Sequence, residues 1–321
     1  MILIVLYHCM CYSVGIWDFN AHPISSLGPI AGMMSSIGLT FFVLISGFLY
    51  ETILTQSNTY NDNSRFIKKK FKRLLIPYLI WGGVMVACLG YSFKELPGGI
   101  MHLWFLVMLF FVSIIFHLSR KLWQGVNGYK QIALLLLLFL LQLGLIPLQD
   151  LTTNQTILKL YKNVTDWLPV YYMGIVISEN NIFEKLERRS YSWLCCLLLA
   201  SLLYIAFRLI GSNAEYLPIP HCVLFISIYL LLMRTGMQTS WNKMKTAPFL
   251  DNLAKYSLGI YIIHHLLIYD PLKHFEVCRQ VIDSLGALAP FMIFLIVMPL
   301  SYGFVALICK SKFSEYIIGI K

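Results

Sequence analysis

The run FFVLISGFLY at residues 41–50, followed after a polar spacer by FIKKKFKRLLIPY at residues 66–78, decides how this chain is built. An apolar segment of membrane length ends in Ser46-Gly47-Phe48. A basic hairpin carrying Lys68, Lys69, Lys70, Lys72 and Arg73 follows, and Pro77-Tyr78 opens the next apolar segment. Cations packed between two apolar segments mark the cytoplasmic side of a bilayer. They also form a phosphate-compatible cluster on that side.

Working outward, hydrophobic residues make up 58% of the 321 and charged residues 12%, against about 25% charged in soluble domains. The apolar residues gather into segments near the ~20 residues that a membrane-crossing helix needs. Ten can be drawn: 1–17, 32–52, 74–92, 101–119, 130–148, 166–179, 191–210, 218–234, 253–269 and 289–309. The sixth is short and interrupted by Pro169 and Gly174. The expected class is all-α, a polytopic membrane protein built as a bundle of about ten transmembrane helices. Few residues remain between spans, so residues 1–321 form a single membrane domain.

A net charge of +10 invites a nucleic-acid reading, but its distribution excludes one. With the N-terminus inside and ten spans alternating, inner connections and the C-terminal tail hold 19 of the 25 Lys and Arg, outer loops hold 5, and Arg208 lies within a span. That split follows the positive-inside rule. The expected location is the inner (plasma) membrane, multi-pass, with a cytoplasmic N-terminus.

The eight cysteines offer neither metal-ligand spacing nor a disulfide framework. Seven lie in or at the ends of spans, where Cys acts as a small apolar residue, and Cys278 falls in an outer loop. No cleavable leader is evident. The first segment starts abruptly at Met1, which suggests that its membrane entry precedes the sequence.

Several residues carry chemistry at membrane depth. His8, in LIVLYHCMCY, sits mid-span and shares a helical face with Cys11, Tyr12 and Gly15. An ionisable group there is costly and marks a functional site, although interhelical hydrogen bonding also accounts for a lone histidine. Lys70 and Arg73 are three apart, on one face if the third helix starts early. They stand just before Pro77, at a helix start that favours anions; anchoring the inner leaflet is the alternative. In YSLGIYIIHH, Ser257, Tyr261 and His264 or His265 form a polar stripe on the ninth span. His102 and Trp104 open the fourth, where Trp serves as an interfacial belt residue. Arg208 either snorkels to headgroups or pairs within the bundle.

Taken in order, these pieces resemble the acyltransferase-3 family of membrane acyltransferases, which O-acylate cell-surface sugars. His8 lies in an apolar first helix, and Phe41-Phe42 to Ser46-Gly47-Phe48 matches the F-F-x-x-x-S-G-F/Y signature. Lys70-x-x-Arg73 follows with Leu74-x-x-Pro77-Tyr78, then His102-x-Trp104-Phe105, and finally Tyr256-Ser257 through Tyr261 to His264. The resemblance covers nearly the whole chain. Two features depart from it. The family usually has an arginine about eleven residues before the first-helix histidine, and this chain begins seven before it, so either the N-terminus is truncated or misassigned or that role is lost. The family's paired arginines before the third helix stand here as Lys70 and Arg73, which keeps the charge but loses one bidentate fork.

The resemblance implies transfer of an acyl group, most simply acetyl, from cytoplasmic acyl-CoA to a hydroxyl of a cell-surface or lipid-linked saccharide. Acetyl-CoA would be a co-substrate, with no bound cofactor and no metal; partners would be acyl-CoA, the saccharide, the bilayer and no nucleic acid. His8 would be catalytic, as general base or as first acceptor of the acyl group, with Lys70 and Arg73 on the CoA phosphates. Ser46, Tyr78, His102, Trp104, Arg208, Tyr261 and His264 would support the site or receive the acceptor. Trp17, Asn20 and Tyr269 in the outer loops suit a sugar. The rival is a transporter or flippase for a saccharide or small anion using His8 and His264 as a proton relay. The absence of an internal repeat and of a deep Asp or Glu leans against it. A non-catalytic membrane sensor is a third, weaker option.

Overall fold

In a computed structural model, the structure describes residues 1–321 except 18, 21–22, 57–61, 127, 143–153, 210–217, 236–246 and 321, and the side chains of Phe207, Arg208 and Ala247. The described residues are helical, with no strand among them. Among the described residues, each segment expected to span the membrane contains a helix. Four helical runs are long and apolar enough to cross a bilayer: Ser25–Gln56, Asn63–Leu89, Phe93–Leu118 and Glu276–Ile308. The apolar helices Ile2–Ser13, Gly128–Gln142, Ser192–Ala206 and Pro218–Arg234 are shorter, so the expectation of ten full spans is met in part.

The helices are α1 (Ile2–Ser13), α2 (Gly28–Gln56), α3 (Asn63–Lys70), α4 (Ile76–Leu89), α5 (Trp104–Leu118), α6 (Arg120–Trp123), α7 (Gly128–Gln142) and α8 (Gln155–Glu179). After these come α9 (Ile182–Glu187), α10 (Ser192–Leu209), α11 (Pro218–Arg234), α12 (Ala247–Lys255), α13 (Ser257–His274), α14 (Glu276–Leu285), α15 (Ala289–Ile308) and α16 (Ser314–Ile318). They cluster into two compact units. One holds Met1–Phe41 with Leu194–Lys321; the other holds Phe42–Trp193.

In the first unit, α1 packs on α13 and α15, which also pack on each other. Gly38 lets α2 close onto α1, since a Cβ there would stand 2.9 Å from Ile4 Cγ1. The exposed flank of α15, with Phe291, Leu295 and Ile296, is apolar as a lipid-facing surface requires. Arg279 of α14 donates to the Leu272 and Lys273 carbonyls at 2.9 Å each, satisfying acceptors at the end of α13.

In the second unit, α8 packs on α5 and α7. It crosses the C-terminal half of α2 with almost no side-chain clearance. A Cβ on Gly47 would lie 2.0 Å from the Tyr171 carbonyl oxygen, and one on Gly174 would lie 2.1 Å from that of Leu44. Small residues allow such backbone approach between membrane helices. The short sixth segment is therefore part of a 25-residue helix containing Pro169, and Gly174 is its packing notch rather than a break.

The basic stretch differs from the expected hairpin. Asp62 caps α3 by accepting the Ser64 N–H, Phe66 is fully buried, and the helix runs on through a π-turn at Phe71–Leu75 into α4. Pro77 supplies the reason. It has no N–H to donate and its ring clashes with the carbonyl four residues back, while the widened turn lets the Ile76 N–H reach the Phe71 oxygen instead. Lys70 and Arg73 thus sit inside a helical run, not at a helix start.

Candidate functional site

The first unit brings together two histidines separated by 256 positions. His264 Nε2 lies 3.0 Å from His8 Nδ1. His264 is on α13 and fully buried; His8 is on α1 and 9% exposed. Backbone carbonyls settle the tautomers, because a carbonyl only accepts. His264 Nδ1 stands 2.9 Å from the Ile260 oxygen, so Nδ1 carries the proton and the Nε2 lone pair accepts. His8 Nδ1 stands 3.0 Å from the Ile4 oxygen. It therefore donates, shared between Ile4 and His264, and the His8 lone pair resides on Nε2.

His265 closes a second side of the same ring, edge-on to His8 with centroids 5.1 Å apart. From it an aromatic wall leads away: His265 stacks on Tyr269 at 5.4 Å, Trp17 meets both rings edge-on, and Phe19 meets Tyr269. Trp17 is buried, while Phe19 and Tyr269 are half-buried. Asn20 donates to the Tyr12 carbonyl at 2.6 Å, and the Tyr12 hydroxyl donates to Asp283 at 2.7 Å. Of the expected His8 face, Cys11 and Tyr12 are buried. Gly15 is not on it, because α1 ends at Ser13 and Gly15 turns with φ +77°. Tyr261 lies beside His264 with ring centroids 5.9 Å apart.

The remaining expected residues belong to the second unit. Lys70 is half-buried with Nζ 5.5 Å from the Phe66 ring centre, and Arg73 is exposed; the π-turn between them breaks the single face that their spacing implied. The same Phe66 ring stacks on His117 at 3.9 Å, and Tyr50 OH is 3.1 Å from His117 Nδ1. Ser46 donates to the Phe42 carbonyl of its own helix at 2.8 Å. The Tyr78 hydroxyl donates to the Leu96 carbonyl, pinning the loop before α5. His102 is buried, and Trp104 is half-buried at the start of α5. The Gly99 backbone, at φ +87°, lies so close to Trp104 that a Cβ would come within 2.5 Å of its Cα. Arg208 falls within α10 with its side chain outside the described residues.

Three groups escaped the sequence reading. Glu51, at the end of an apparently apolar segment, is 1% exposed, a carboxylate buried against protein near the end of a span. His117 is 1% exposed. His221 is paired with Ser36. Each was hidden because a single polar residue in an apolar run carries no periodicity of its own.

No curated protein and no solved structure matched the chain. A family model described as an acyltransferase domain matches residues 1–310, a range that includes both histidines, the basic helix and the Ser46-Gly47-Phe48 crossing. The chain therefore belongs to the acyltransferase-3 family.

Proposed function

We propose that this membrane acyltransferase moves an acyl group, most simply acetyl, from cytoplasmic acyl-CoA to a hydroxyl of a cell-surface or lipid-linked saccharide, in the inner membrane with its N-terminus inside. The observation that carries the reading is the His8–His264 hydrogen bond. A saccharide hydroxyl is a poor nucleophile until a base takes its proton, and a positioned imidazole is the usual base. His8 Nε2 holds the lone pair for that step. Once protonated, the ring keeps its Nδ1–H on two acceptors, the Ile4 carbonyl and His264 Nε2. His264 is then a positioning residue that fixes the His8 tautomer and shares its positive charge.

The half-buried rings of Phe19 and Tyr269 suit the flat apolar face of a sugar, and they continue the aromatic wall that begins at His265. Lys70 and Arg73 suit the donor's phosphates as a point charge and a fork. A histidine relay in a transporter draws on the same pair. Release of free thiol from acetyl-CoA by the purified protein separates the two. With a saccharide acceptor present, thiol release that is lost in His8→Gln supports the acyltransferase, whereas no release from the wild type overturns it.

A further inference from the structure

We propose that α14 is an interfacial helix whose exposed apolar row lies among the acyl chains of one bilayer leaflet, the outer one on the topology proposed above. This goes beyond the acyl-transfer reading and rests on the membrane placement alone. The helical run Glu276–Ile308 has 33 residues, but α15 by itself has 20, enough to cross the hydrocarbon core. That leaves α14 at the end of a span. The chain breaks on both sides of it, at Phe275 with extended backbone and at Gly286 with φ +52°.

The composition of α14 suits neither hydrocarbon nor water. Glu276, Arg279 and Asp283 are costly inside a bilayer. Phe275, Val277, Val281 and Leu288, in and beside the helix, are each exposed over more than half their surface, which water penalises. Val277 and Val281 are four apart and share a face. So do Glu276 and Gln280, which hydrogen-bond to each other at 3.5 Å. The apolar and polar rows run side by side, as in a helix that lies in the headgroup region. Leu288 links the apolar row to the exposed flank of α15 with Phe291 and Leu295. That continuity names the occupant, because the acyl chains that cover α15 reach Val277 and Val281 next.

Opposite the apolar row, the helix is tied to the two helices that carry the histidines. Arg279 holds the Leu272 and Lys273 carbonyls in the last turn of α13. Asp283 takes the Tyr12 hydroxyl in the last turn of α1, one turn beyond His8. A helix seated in the leaflet therefore braces the ends of α1 and α13, and with them Tyr269 of the aromatic wall.

The test places nitroxide spin labels on the full-length protein in phosphatidylethanolamine–phosphatidylglycerol vesicles. Cys88, Cys195, Cys196, Cys278 and Cys309, the cysteines that are not buried, are first replaced by Ala. Labels at Val277→Cys and Val281→Cys are expected to collide several-fold more with dissolved oxygen than with a water-soluble nickel chelate. A label at Leu300→Cys, on the exposed flank of α15, does the same at greater depth, and one at Gln280→Cys shows the reverse preference. Three results overturn the proposal. Preference for the nickel chelate at 277 and 281 puts the row in water, and little collision with either probe assigns it to a second copy or a partner protein. A depth equal to that of Leu300→Cys makes α14 part of the span. No acetyl-CoA enters the measurement, so each of these leaves the acyl-transfer reading standing, and failure of thiol release leaves this proposal standing.

Discussion

His264 Nε2 accepts the Nδ1–H of His8 across 3.0 Å, so the second histidine, together with the Ile4 carbonyl, holds that proton on Nδ1 and leaves Nε2 to act as the base. A hydrogen bond to a group that becomes charged contributes about 1.5–3 kcal/mol, or roughly tenfold to a hundredfold in rate. His264→Ala is therefore expected to lower kcat by that factor with little change in the KM for acetyl-CoA. His264→Gln, whose side-chain oxygen still accepts, should recover part of the loss. Steady-state thiol-release kinetics on the three proteins check this. Equal activity in all of them would reduce His264 to packing.

Gly47 and Gly174 are predicted to be intolerant of any side chain, because a Cβ at either would overlap a backbone carbonyl oxygen. Overpacking of this kind costs about 1–3 kcal/mol or more. Gly47→Ala should depress expression and thermal stability in detergent. Ser46→Ala, next to it, removes only a bond to the residue's own helix and should stay within about 0.5 kcal/mol of wild type. A thermal-shift series on the three proteins distinguishes a packing glycine from a mere sequence signature.

Lys70 is half-buried, whereas Arg73 and Lys68 are exposed. An exposed charge interacts through water and is screened. Lys70→Ala is expected to weaken acetyl-CoA binding most, by about 1.5–3 kcal/mol. Arg73→Ala should have less effect and Lys68→Ala least. Calorimetric titration with acetyl-CoA gives the order directly, and equal small effects at all three would favour a membrane-anchoring role.

The charge split across the loops predicts a cytoplasmic N-terminus and a cytoplasmic connection between α2 and α3. A reporter active only in the periplasm should stay silent when fused after residue 60 and respond when inserted within 275–285. The opposite pattern would place Lys70 and Arg73 on the wrong side for CoA.

What the sequence made legible was what one segment encodes by itself. The apolar segments located the long apolar helices but not the short ones between them, such as α3, α9 and α14, and Ser46-Gly47-Phe48 marked a special point, though its meaning as a crossing appears only once Gly174 lies against it. The basic run was recognisable, but its conformation was not. Pro77 reads locally as a helix start, whereas the buried Phe66 and the π-turn carry the helix through it. The pairings His8–His264 and Ser36–His221 join residues 256 and 185 positions apart. No local pattern reports such a contact, because it depends on which faces of three or four helices meet.

The most direct test of the central claim compares thiol release from acetyl-CoA by wild-type protein and by His8→Gln, with acetyl-CoA binding measured on both. The account predicts that His8→Gln binds acetyl-CoA as the wild type does and, in the presence of a saccharide acceptor, turns over at least 10²-fold more slowly, the lower end of the range for loss of a general base. Near-native turnover by His8→Gln would contradict it and move the base to another buried histidine.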